Sequence, residues 1–463
     1  MLFSSLSFLY LFLPTLIILY FLSRSLKWRN TILLAASLVF YSWGDPNSTI
    51  LLLLSSLAAY LFALAIERFP SRKKLFLWGA VVLFVGVLIY FKYLNFIFEN
   101  ICAISNQEFT IKQVILPAGI SFYTFQLLSY LFDVYHGNTS AEKNLPRFLL
   151  YVSFFPQLLQ GPIIRYENIR NQFIGRSSSW DGAISGVRRF IVGLGKKVLI
   201  ADNIALIASS IYSSPDFSGT AALWLAAICY TLQLYFDFSG YCDMAIGLGR
   251  IFGFRIPENF NYPYTATSIT DFWRRWHISL SLWFRDYIYI PLGGNRVNKS
   301  RFMLNILIVW SLTGLWHGAS WNFVLWGLYY GILLLIEKLV LGSRIEKIPM
   351  LFRRISSLFF IIIGWVLFNL SDTQTLLSVL KEMFIFSPTD WVSLLIQDTS
   401  ICSKLLFLPI AVVFAFPVAK KVNWPDNSIW GCIINNVAHM AVLAFSIMYI
   451  ISSNFTPFIY FSF

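Results

Sequence analysis

The chain has 463 residues, of which 57% are hydrophobic, 18% aromatic and 12% charged. A soluble domain carries roughly 25% charged residues, so a soluble chain of this length would lack the charge to cover its surface. Mean hydropathy is +0.67, and continuous apolar runs such as Leu51–Leu64 and Leu405–Val418 recur throughout, which excludes a soluble enzyme, a disordered chain and a disulfide scaffold. A transmembrane β-barrel is also excluded, because its strands alternate apolar and polar residues. What remains is an all-α polytopic integral membrane protein with about ten to twelve transmembrane helices, plus re-entrant and interfacial helices around a central cavity.

In chain order, the apolar runs predict spans at 6–22, 31–44, 48–66, 75–97, 114–135, 191–212, 220–248, 302–317, 320–341, 355–371, 405–419 and 430–452. The first run lacks a basic flank before it, so it reads as a retained helix and not a cleaved signal peptide. Phe148–Ile164 is apolar but holds Pro156, Gly161 and Pro162. Prolines at that density break a helix, and broken backbone is tolerated at membrane depth only where protein or water covers it. The segment therefore reads as a re-entrant hairpin lining a cavity.

The basic clusters test this map. Arg24–Arg29, Arg68–Lys74, Lys143–Arg147, Arg250–Arg301, Arg344–Arg354 and Lys420–Lys421 follow the odd-numbered spans from the first to the eleventh. They all fall on one side if spans alternate, and basic loops mark the cytoplasm. Both termini are then expected outside it. The formal net charge of +13 is explained by these loops, and no nucleic-acid partner is implied. Cys102, Cys229, Cys242, Cys402 and Cys432 form no CxxC pair or His/Cys cluster, so neither a disulfide framework nor a metal site is supported. Residues 1–463 read as a single integral membrane domain, without repeats or linkers.

An ionisable side chain in hydrocarbon costs at least about 2.5 kcal/mol and marks function by default. His317 lies in Ser311–Asn322, with no Asp, Glu, Lys or Arg from Phe302 to Ile336. Gly314 and Gly318 leave room beside it for a substrate or a close helix, and Trp316, Trp321 and Asn322 offer a wall and a hydrogen-bonding partner. An imidazole there can take a proton from a hydroxyl and hand it on; the plainer alternative is a packing histidine. In Ser268–Asp286, Ser268 or Thr270 can cap a helix on which Trp273, His277 and Leu280 share a face. Arg274, Arg275 and Arg285 face the cytoplasm on this reading, and an interfacial anchor is the plainer alternative. Asp237 and Asp243 sit in one apolar helix with Gln233 and need partners, such as Arg or Trp N–H groups. Gln157 and Gln160 add donors on the broken hairpin, with Arg165 at its cytoplasmic mouth; both glutamines could equally serve only the broken backbone.

Five stretches, LPAGISFYTFQLLSYLFDVY (116–135), FFPQLLQGPIIRY (154–166), YFDFSGYCDMAIGLGRIFGFRIPENFNYPY (235–264), DFWRRWHISLSLWFRDYIYIPLGG (271–294) and LTGLWHGASWNFVLWG (312–327), together resemble the membrane-bound O-acyltransferase family. The resemblance covers a core of about 110–340 and is nearest to the bacterial branch that holds the membrane subunit of alginate O-acetylation. It implies acyl transfer from a cytoplasmic thioester donor to a hydroxyl across the bacterial inner membrane. It also implies that His317 is the catalytic residue and His277 the second functional position. No bound cofactor is implied; acetyl-CoA is the donor substrate. An esterase-like (SGNH-type) acetyltransferase, secreted or membrane-anchored, is the implied partner. The Phe-rich stretch Pro457–Phe463 resembles a short motif that carries the acyl group on its tyrosine, here Tyr460.

The expected mechanism is a through-membrane acetyl relay for O-acetylation of an extracytoplasmic polysaccharide, an alginate-like exopolysaccharide or peptidoglycan. Arg165, Arg274, Arg275 and Arg285 meet the donor's phosphates, His317 acts as general base, and Asn322 and Trp316 face the oxyanion. Gln157, Gln160 and Asp237 line the cavity. The alternative is a transporter of a polysaccharide precursor or ion through Asp237, Asp243 and His317.

Overall fold

The computed structural model describes residues 1–106, 113–213, 219–389, 399–418, 428–452 and 458–459. Lys420–Lys421 and Tyr460 lie outside the described residues. Those described are helical and form no strand. Among the described residues, six helical runs are long and apolar enough to cross a membrane: Pro46–Arg68, Pro70–Ser105, Thr220–Ile251, Trp321–Lys347, Met350–Asn369 and Ile429–Ser452. Shorter apolar runs occupy Ser7–Phe21 and Ile401–Phe414. The expected span 302–317 falls in Lys299–His317, of 19 residues; 31–44 and 114–135 only overlap Leu26–Ser42 and Ile120–His136, of 17 residues each, and residues 114–119 precede the second of these as non-helical backbone. The chain is a multi-pass, all-α membrane protein.

Two compact units are present. One comprises Met1–Phe190 and Met244–Pro257. Its helix Pro46–Arg68 starts where a helix should: Pro46 takes the first position, and the Asp45 carboxylate accepts from the Asn47 and Ser48 amides. Ile120–His136 is buried along nearly its whole length. It begins at Gly119, whose φ of +75° suits glycine and where a Cβ would stand 2.7 Å from the Leu158 carbonyl oxygen.

The expected broken hairpin belongs to this unit. Leu145–Ser153 stops at Phe154, and a single turn, Phe155–Leu158, follows with Pro156 inside it. Protein side chains serve the interrupted backbone. Phe155 N–H donates to Ser37 Oγ at 3.2 Å, Tyr151 Oη donates to the Ile164 carbonyl at 2.9 Å, and Gln157 Nε2 donates to the Tyr151 carbonyl at 2.7 Å. That is the condition for irregular backbone at membrane depth.

The other unit comprises Ile191–Asp243 and Glu258–Phe463. Lys299–His317 and Trp321–Ile336 form an antiparallel hairpin, and Met350–Asn369 packs on the second of them. Trp273, Trp276, Trp310, Trp326, Tyr330 and Trp365 form a buried aromatic cluster here. Apolar burial alone drives little helix association in lipid, so edge-to-face ring pairs at about 0.5–1.5 kcal/mol each carry much of the specificity.

Candidate active site

His317 is the last residue of Lys299–His317, and extended backbone at Gly318 ends that helix. The turn is tight because glycines let the two helices touch backbone to backbone. A Cβ on Gly314 would sit 2.2 Å from the Phe323 carbonyl oxygen, and one on Gly327 would sit 2.3 Å from that of Trp310. Of the two uses expected for Gly314, the structure shows the close helix. At Gly318 the space is filled by the Phe323 ring, 2.1 Å from where a Cβ would stand. The His317 imidazole, 3% exposed, meets Trp316, Trp326 and Phe368 edge-on, with centroids 4.8, 4.9 and 5.3 Å away.

Asn322 holds one wall of this box. Its Nδ2 donates to the carbonyls of Phe368 at 3.0 Å and Leu367 at 3.4 Å. Those are C-terminal carbonyls of Met350–Asn369, which have no partner within the helix. The amide thus fixes the residue whose ring flanks His317.

His277 departs from the helix expected for it. Ser268 does cap the first helix, accepting from Asp271 N–H at 3.0 Å, but that helix ends at Arg275 and a second runs Ile278–Phe284. His277 lies between them at φ +45°, ψ +54°, the left-handed region. The predicted shared face of Trp273, His277 and Leu280 therefore does not form. The cause is Asn259, which staples the corner: its carbonyl accepts from Ile278 N–H at 3.0 Å, and its Oδ1 accepts from the Ser279 N–H at 3.0 Å and hydroxyl at 2.9 Å.

The His277 ring is buried against Phe238 at 4.8 Å and Trp316 at 5.8 Å. Trp316 also touches His317, so one indole bridges the two predicted histidines. Among the described residues neither His277 ring nitrogen has a hydrogen-bond partner. His277 lies outside the six long spans, and burial pushes its pKa down to about 3. It is a neutral imidazole, with one N–H donor and one acceptor.

The carboxylates of Thr220–Ile251 find lysines, not the expected Arg or Trp groups. Lys197 Nζ lies 2.6 Å from Asp237 Oδ1 and 2.8 Å from Asp202 Oδ1, and Lys196 Nζ lies 2.7 Å from Asp243 Oδ2. The backbone just before Lys196 approaches Thr220–Ile251 closely at Gly240, where a Cβ would be 2.8 Å from the Gly193 carbonyl oxygen. Asp237 Oδ2 also accepts the Ile459 N–H at 3.0 Å. Asp237 is thus buried and ion-paired, and both carboxylates proposed for a transport path are paired with lysines.

A model of the membrane-bound O-acyltransferase family matches residues 140–378. A probable alginate O-acetylase of Azotobacter vinelandii is 38% identical, with all of both chains covered. One of Pseudomonas aeruginosa is 42% identical over 83% of this chain and 75% of its own. A peptidoglycan O-acetyltransferase of Helicobacter pylori is 32% identical over all of this chain and 98% of its own. The chain belongs to the membrane-bound O-acyltransferase family. It is an O-acyltransferase that passes the membrane many times.

Within this acyltransferase, the structure brings His277, Trp316, His317 and Asn322 together in one unit. Arg275 is ion-paired with Asp271 at 2.8 Å and Arg285 with Asp286 at 2.6 Å, whereas the Arg274 side chain is exposed. Gln157, Gln160 and Arg165 belong to the first unit. Gln157 serves the broken backbone through its amide nitrogen, while the buried Gln160 amide has no hydrogen-bond partner among the described residues. Sequence reasoning missed Lys196, Lys197 and Asn259. The lysine pair was visible as two cations inside a predicted span, facing two carboxyls in another. Asn259 carried no such signal.

Proposed function

We propose that this O-acyltransferase takes an acetyl group from cytoplasmic acetyl-CoA and relays it across the bacterial inner membrane to an extracytoplasmic polysaccharide, an alginate-like exopolysaccharide or peptidoglycan. Relatives named for alginate and peptidoglycan O-acetylation, aligned over the whole chain, support the acetyl group and the acceptor class. The observation that carries the chemistry is the pair of buried imidazoles that both pack against Trp316.

His317 takes the proton from the acceptor hydroxyl as its oxygen attacks the thioester carbonyl. The neutral His277 donates its N–H to the oxyanion. As the intermediate collapses, the carbon–sulfur bond breaks, the new ester remains, and the proton passes from His317 to the departing thiolate of CoA. Trp316 spaces the two rings, and Asn322 acts through Phe368 as a positioning residue. Arg274, exposed on the helix Ile269–Arg275, meets donor phosphates in this reading, with Arg275 and Arg285 in the same unit. Tyr460 supplies the acceptor hydroxyl of this first transfer; a hydroxyl of the esterase-like partner then attacks the aryl ester, the tyrosyl oxygen leaves and takes the proton, and the partner delivers the acetyl group to polymer. In this reading both termini face away from the cytoplasm, a placement that the basic loops support.

The test uses the purified chain in nanodiscs together with its esterase-like partner, acetyl-labelled acetyl-CoA and a saccharide acceptor. The expected result is release of free CoA thiol in step with labelling of the acceptor. Absence of thiol release above a heat-treated control would remove acetyl-CoA as the donor.

A further inference from the structure

Side chains of Thr220–Ile251 and of the π-helical turn Lys196–Ala201 converge on the last described residues of the chain. Asp237 holds Lys197 with one carboxylate oxygen at 2.6 Å and the Ile459 N–H with the other at 3.0 Å. The Lys197 ammonium stands 4.6 Å from the centroid of the Phe458 ring, within cation–π range. The Tyr241 ring meets Phe458 at 5.2 Å and 89°. Phe458 is fully buried.

Asp237 and Tyr241 share a helix face at i, i+4 spacing. The next face of the same turn carries Phe238 and Cys242. Phe238 packs on the His277 ring at 4.8 Å, and Cys242 Sγ accepts from Asn259 Nδ2 at 3.4 Å. Asn259 is the staple of the His277 corner. One helical turn thus holds the segment 458–459 on one side and the histidine corner on the other.

We propose that Asp237, Lys197 and Tyr241 form a receptor for the Phe458–Ile459 segment, and that they are positioning residues for acyl transfer. The recognition is specific in two respects. The first position must be aromatic, to lie beneath an ammonium ion and against Tyr241. The second must supply a backbone N–H, so any residue but proline serves. Tyr460 is the next residue in the sequence. What the docked segment is for rests on the acyl-relay reading; the docking itself does not.

Hydrogen exchange read by mass spectrometry, on the full chain in nanodiscs, separates the two. Asp237→Asn removes the charge from the bond to Ile459, and Phe458→Ala alters only the docked segment. Both are expected to speed exchange of the peptide containing Ile459 by about tenfold or more, with Trp321–Ile336 unchanged. Unaltered exchange in Phe458→Ala overturns the receptor, even where Asp237→Asn fails to fold. For positioning, the expected signature of Phe458→Ala is a lower kcat with an unchanged KM for acetyl-CoA. Faster exchange with parental kcat overturns the positioning role. A silent Tyr460→Phe, with tail exchange and docking intact, overturns instead the relay through that tyrosine.

Discussion

His277 shows how much a single residue can depend on sequence-distant partners. Its spacing from Trp273 suits one continuous helix face, and the residues around it are adequate helix formers. The corner arises because Asn259 captures the Ile278 and Ser279 amides and the Ser279 hydroxyl, offering the backbone a better arrangement than the next helical bond. Left-handed backbone costs a β-branched residue about 1–2 kcal/mol, while asparagine tolerates it. His277→Asn should therefore keep the parental Tm, and His277→Val should lower it by a few degrees. Both lose the imidazole and should lower acetyl transfer about 100-fold, the loss seen when an oxyanion donor is removed. Full turnover in His277→Asn would reduce the ring to a packing element. His317 was legible because no charged residue surrounds it over Phe302–Ile336. Lys197 carried a signal, its place inside an expected span, that is easily passed over because a basic residue in a membrane protein ordinarily marks a loop.

At the scale of elements, apolar runs located the helices well, because hydrocarbon leaves the backbone no other partner than itself. Their interruptions were harder to see. The helix over the expected span 191–212 contains a π-helical turn, Lys196–Ala201, whose wider winding aims two adjacent lysines at two different carboxylates, Asp243 and Asp237. Nothing in the apolar pattern announces such a turn. The hairpin of Lys299–His317 and Trp321–Ile336 depends on small residues, and this can be measured. Gly314→Ala places a methyl 2.2 Å from the Phe323 carbonyl oxygen, whereas a methyl on Gly86, inside Lys73–Leu88, would meet nothing within 4 Å. Alanine should gain about 1 kcal/mol in helix propensity at either site, but overpacking costs about 1–3 kcal/mol. Gly314→Ala should lower the Tm in detergent and Gly86→Ala should raise it or leave it unchanged. A rise in both would mean that the hairpin is looser than described.

For the molecule as a whole, low charge content and basic clusters after alternate spans were enough to establish a multi-pass helical protein and to motivate its orientation. The division into two units was not legible. It cuts the helix Thr220–Ile251 between Asp243 and Met244, and no linker marks that point in the sequence. This helix is the most buried of the six long ones, which is why its carboxylates are ion-paired and its aromatic residues reach both the histidine corner and Phe458. The chemistry converges on the imidazole of His317, boxed by Trp316, Trp326 and Phe368. The decisive measurement is acceptor-dependent release of CoA thiol by His317→Ala in proteoliposomes, with exchange protection of Trp321–Ile336 confirming the fold. Loss of a general base predicts a fall in kcat of about 100-fold or more; parental kcat in the folded variant would contradict the assignment of the proton transfer to His317.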